Sequence, residues 1–198
     1  MHPYERIPLF TAGLLLAVWL IGIHLLMLTK PAAVQGFLQK FPRNQLCGQI
    51  LLGFGLAWFW LLVAPDGLGL LSTLTMDLGE FNKAKPLLQI AVPVSLVLVA
   101  ISVRDFLAVR ALGLVGLMVA SPLLEAAFLK DPTSRLLVPA YAYALLTASM
   151  FFVGMPYLFR DAVTWATASS QRWTAISLAG LSYGVVTLVC ALAFWRNF

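Results

Sequence analysis

Six apolar stretches, each about 20 residues long, fill most of this chain, and only one of them contains a carboxylate. A hydrocarbon core about 30 Å thick needs about 20 apolar residues in a helix, and these stretches lack the alternation of barrel strands. We therefore predict an all-α integral membrane protein, with six transmembrane helices in one bundle and a single membrane domain over residues 1–198. The predicted spans cover residues 8–28, 46–64, 86–103, 111–129, 136–158 and 173–195.

The amino-acid composition excludes the classes of soluble globular protein. The 198 residues are 61% hydrophobic and 11% charged, against roughly 45–50% and about 25% in soluble domains. The formal net charge is +5, but the basic residues lie at the ends of the predicted spans rather than in a stripe with interleaved aromatic residues. We therefore predict a lipid bilayer as the surroundings of the chain and no nucleic-acid partner.

An even number of spans predicts that both termini lie on one side of the membrane. We call that side the terminal face and the opposite side the Arg face. Seven basic residues flank the Arg face, namely Lys30, Lys40, Arg43, Arg104, Arg110, Arg160 and Arg172. Six basic residues flank the terminal face, namely Arg6, Lys83, Lys85, Lys130, Arg135 and Arg196. The excess of basic residues favours a cytoplasmic Arg face and non-cytoplasmic termini.

The connectors between spans carry further local structure. In residues 31–42, apolar side chains recur at helical spacing (Val34, Phe37, Leu38, Phe41), which predicts a short amphipathic helix in the headgroup plane. Its function is either to contact lipid or a partner, or only to link two spans. We also expect the third helix to continue through residues 104–110 and the fifth to continue past Pro156.

Two polar residues within the spans near the terminal face are candidates for a ligand or ion site. Polar groups inside lipid are costly and mark functional sites by default. Glu125 is the only carboxylate within a span, and Gln89 has similar predicted depth. The alternative is that Glu125 reaches the interface or pairs with Lys130 or Lys85.

A second candidate is a polar cluster at the Arg face. Its predicted members are His24, Gln49, Arg104, Asp105, Arg160 and Asp161. The alternative is a network of hydrogen bonds at helix ends that serves packing. The opposite depths of His24 and Glu125 argue against a site formed by these two residues.

The sixth span contains a pattern that resembles a hydrolase nucleophile, Gly180-Leu-Ser182-Tyr-Gly184. That motif requires a strand, a sharp turn and a helix, whereas this segment is predicted to lie within one membrane helix. We instead predict a stripe of small residues for close helix packing. Its members are Ser177, Gly180, Gly184, Thr187 and Ala191.

No constellation of residues predicts catalysis or a metal site. Two histidines and two cysteines lie at different depths, so we predict neither a metal nor an obligatory cofactor, while a bound lipid, quinone or pigment remains open. We predict a non-enzymatic structural, assembly or accessory subunit whose partners are other membrane subunits or further copies of itself. The alternative is a transporter or binding protein for a lipid or another hydrophobic small molecule.

Overall fold

The structure, a computed structural model, describes residues 3–64, 74–102 and 105–197. Over these ranges the chain forms eight α-helices and no strand, which confirms the all-α prediction. In chain order the helices are α1 (Leu9–Thr29), α2 (Pro31–Lys40), α3 (Gln45–Leu62), α4 (Lys85–Ser102), α5 (Leu107–Ala127), α6 (Leu137–Gly154), α7 (Tyr157–Thr167) and α8 (Ser170–Phe194).

Five helical segments are long and apolar enough to cross a membrane, which is consistent with an integral membrane protein. They are α1, α3, α5, α8 and the segment Thr133–Gly154, which includes α6. The predicted third span corresponds to α4, an apolar helix of 18 residues that is not among these five. The short helix α2 occupies the segment predicted to be amphipathic and ends in a 3-10 turn, Phe41–Arg43.

Two predicted helix extensions are wrong. Residues 107–110 belong to α5, because the chain reverses at Phe106, whose backbone is left-handed with a φ of 57°. At the other site α6 ends at Gly154, and α7 is a separate helix that begins after Pro156. Proline has no backbone N–H to continue the hydrogen-bond ladder, so the chain turns there instead of only bending.

The long helices pack in neighbouring pairs, and their backbones approach closely at a few positions. Helix α5 lies between α3 and α6, α4 packs on α3, and α1 packs along α8. Glycines allow the close approaches: a Cβ on Gly48 would lie 2.8 Å from the Ala108 backbone nitrogen. A Cβ on Gly113 would lie 2.7 Å from the Ser149 carbonyl oxygen. Such small residues let helix backbones approach each other in lipid.

The short helices α2 and α7 contact each other at one end of the long helices. A row of aromatic rings continues from this contact towards the interior. The Phe41 and Phe159 ring centroids are 5.7 Å apart, and Phe152 meets Phe159 edge-on at 5.3 Å. Phe41 and Phe159 are buried together with Ala108 and Val109 of α5, which fixes the pair of short helices on the longer ones.

Candidate functional site

The contact between α1 and α8 is where the predicted small-residue stripe lies. Ser177, Gly184, Thr187 and Ala191 are buried, and Gly180 is half-buried. The Ser177 and Thr187 hydroxyls each donate a 2.8 Å hydrogen bond to a carbonyl of their own helix. Both hydroxyls therefore have hydrogen-bond partners within α8 and need none on α1.

His24 of α1 packs directly against Gly180 of α8. The His24 Nδ1 donates to the Leu20 carbonyl oxygen at 2.7 Å, which fixes the orientation of the ring. A Cβ on Gly180 would overlap that Nε2 and its neighbouring ring carbons. The imidazole thus occupies the space that the missing side chain creates. One turn further along α8, a Cβ on Gly184 would lie 3.0 Å from the Leu20 Cβ.

Two tryptophans pack at the two ends of this helix pair. The buried Trp173 donates from its indole Nε1 to the Met27 carbonyl oxygen at 2.9 Å. At the opposite end, the fully buried Trp195 donates to the Ser134 Oγ at 2.8 Å, and its ring covers Gly13. Sequence reasoning missed both contacts, because tryptophans at span ends are also typical of the membrane interface.

Glu125 and Gln89 lie on different helices, and no described interaction joins them. The Gln89 Nε2 donates to the Val63 carbonyl oxygen at 2.8 Å, and its backbone oxygen accepts from the Trp60 indole at 3.2 Å. Gln89 therefore satisfies a carbonyl just beyond the end of α3, a position that lacks a helical partner. Glu125 is half-buried on α5, and the ion pairs of the described residues do not include it.

Among the described residues of the predicted Arg-face cluster, one ion pair is present. Arg160 and Asp161 form an exposed ion pair at 2.9 Å, bonded through both Nε and a terminal guanidinium nitrogen. Gln49 and Asp105 are also exposed, whereas Arg104 lies outside the described residues. His24 is half-buried and packs against Gly180 of α8.

The serine-containing motif does not place a nucleophile beside a base. Ser182 is exposed, and its Oγ donates to the Ala179 carbonyl oxygen at 2.8 Å. His24 contacts the neighbouring Gly180 instead. Within the described ranges, no group of three or more His, Cys, Asp or Glu residues is placed to hold a metal ion.

No family model, curated protein or solved structure matches this chain. The hydrogen bonding of buried side chains is therefore the basis for inferring its function. Among the described residues, every buried side-chain nitrogen or oxygen has a hydrogen-bond partner. The buried Ser177 and Thr187 bond to carbonyls of their own helix, whereas Trp173 bonds to the Met27 carbonyl of α1.

Proposed function

We propose that this chain is a non-enzymatic membrane protein that serves as a structural, assembly or accessory subunit of a membrane complex. The observation that carries the proposal is the complete pairing of buried polar side chains in the described interior. A catalytic or transport site instead requires polar groups that converge on a substrate. Among the described residues, no hydrogen bond or ion pair joins the candidates Glu125 and Gln89.

We further propose that α4 is the sixth spanning helix of a bundle and provides a face for a membrane partner. At about 1.5 Å per residue, its 18 residues extend about 27 Å, close to the thickness of a hydrocarbon core. Its main packing contact is with α3. The side chains that remain exposed follow helical spacing: Leu87, Ile90, Val94, Val97, Leu98 and Ile101.

Site-specific photo-crosslinking in the native membrane tests the accessory role. A crosslinking residue at Ile90 or Val97 should capture one reproducible membrane protein. The matched control is the same residue at Val189, which is as exposed as Val97 but lies on α8. Equal capture from both helices, or capture of lipid alone, would contradict a partner face on α4. Native mass spectra of the chain released from its own membrane that show no partner protein but one defined quinone or pigment would favour the alternative, a hydrophobic-ligand binder.

Labelling of single cysteines with a membrane-impermeant reagent tests the six-span arrangement. We expect positions 105 and 161 to react from the cytoplasmic side and position 80 from the opposite side. The basic residues of the Arg face support this orientation. Reaction of positions 80 and 105 from the same side would show that α4 does not cross the membrane.

A further inference from the structure

The helices α2 and α7 form one continuous surface, which we call the α2–α7 surface. The Gln39 Nε2 donates to the Thr167 Oγ1 at 3.4 Å, and Phe41 packs on Phe159 below this bond. The bond brings the end of α2 to the junction between α7 and α8, where Arg172 lies. Two amphipathic helices distant in sequence therefore present their outer sides together.

Exposed aromatic rings and cations share this surface. Phe37 and Trp165 are 54% and 55% exposed. The Arg172 guanidinium carbon lies 5.1 Å from the Trp165 ring centroid, so a cation covers one exposed ring. Aromatic rings beside basic residues on an amphipathic helix are typical of the level of lipid headgroups, where the ring contacts acyl chains and the cation contacts phosphate.

The charge of the surface is uneven. Lys30, Lys40 and Arg43 are exposed at the two ends of α2, and the ion pairs of the described residues include none of them. The acid on α7, Asp161, is already paired with Arg160. Three cations around one short helix are therefore available to a negatively charged partner outside the chain.

We propose that the α2–α7 surface binds the headgroups of anionic phospholipids in the leaflet at the Arg face. Charge complementarity and exposed aromatic rings together match a lipid surface, which offers phosphate above and acyl chain below. The inference goes beyond the accessory role, because lipid binding by this surface requires no protein partner. It also predicts a preference for phosphatidylglycerol over phosphatidylcholine, since only the former carries net negative charge.

The test is binding of phosphatidylglycerol by the full chain in neutral detergent, measured by native mass spectrometry. The variant Lys30→Gln/Lys40→Gln/Arg43→Gln should bind this lipid about tenfold or more weakly, because each exposed cation adds to the attraction. A matched variant, Arg6→Gln/Lys83→Gln/Arg196→Gln, removes three exposed cations at the other end of the helices. We expect it to bind as the unmodified chain does.

Further measurements distinguish the effect of charge, the type of lipid and a failure of the variant to fold. Raising the salt concentration to 0.5 M should weaken binding to the unmodified chain but not change the triple α2 variant further. If that triple variant does not fold, Arg43→Gln alone should still weaken binding severalfold. Equal binding by the two triple variants, equal binding of phosphatidylcholine, or full displacement of the lipid by inorganic phosphate would overturn the proposal.

Discussion

Replacing Gly180 with alanine tests the close contact between α1 and α8. The added Cβ would overlap the imidazole of His24, whose orientation is held by its bond to the Leu20 carbonyl. This overlap is removed only if the imidazole ring moves away or the two helices separate. Moving the ring breaks its bond to the Leu20 carbonyl, and separating the helices loosens their packing, so we expect Gly180→Ala to destabilise the protein.

The expected magnitude combines two opposing effects. Alanine in place of glycine within a helix stabilises by roughly 0.5–1 kcal/mol, whereas overpacking a filled interior costs about 1–3 kcal/mol. The control is Gly22→Ala on α1, because nothing lies within 4 Å of a Cβ there. The control should gain stability, so the two variants should differ by about 2 kcal/mol. For a chain of this size that difference corresponds to about 4–8 °C in melting temperature.

Thermal unfolding in one detergent, followed by tryptophan fluorescence, measures the difference. The double variant His24→Ala/Gly180→Ala isolates the cause, because a small side chain at position 24 leaves room for the new Cβ. In the His24→Ala background, Gly180→Ala should therefore be neutral or stabilising. Equal melting temperatures for Gly180→Ala and Gly22→Ala, or additive effects in the double variant, would refute a direct contact between His24 and Gly180.

Three further outcomes follow from other contacts. Trp195→Ala should cost about 3–5 kcal/mol in unfolding free energy because the ring is fully buried, while Phe194→Ala, at an exposed neighbour, should cost far less in the same melting assay. Burial raises the pKa of the Tyr4 hydroxyl above its ordinary 10.0. The stability that the buried, protonated hydroxyl contributes is therefore complete below pH 10 and is lost as pH rises through the folded pKa. Tyr4→Phe should reduce this alkaline loss in melting temperature. Hydrogen bonds from the Asn82 amide, the larger cause, and from the Gly79 N–H hold the pKa of Asp77 below its ordinary 3.8. Asp77 therefore stabilises the fold above pH 3.8 and loses that effect as pH falls through the folded pKa. Asn82→Ala should raise the Asp77 pKa measured by NMR titration.

Apolar length predicted the long helices well, because burial in lipid depends mainly on a run of about 20 apolar residues. Residues 46–64, for example, contain most of α3, and the amphipathic spacing of residues 31–42 located α2. The turn at Phe106 was missed because left-handed backbone is normally signalled by glycine. Here the Phe106 side chain packs on the cluster around Phe41, and that contact favours the turn despite its backbone cost.

The candidate site was predictable only in part, because spacing identifies a face but not what covers it. Small residues at helical intervals marked one side of α8. Nothing in that pattern names α1 as the neighbour, since the two helices lie far apart in the chain. The contact of His24 with Gly180 depends on the register between antiparallel helices, which Trp173 and Met27 set at one end. Such a register is a property of the folded molecule rather than of any local segment.

The pairing of α1 with α8 also has a consequence for biosynthesis. Met27 and Trp173, which bond to each other, are separated by 146 residues. At about 5–20 residues per second, the ribosome needs roughly 7–30 s to add that length of chain. During this interval α1 resides in the translocation machinery or in lipid with His24 and Gly13 uncovered. The side of α1 that faces α8 therefore contacts lipid or other protein until α8 emerges.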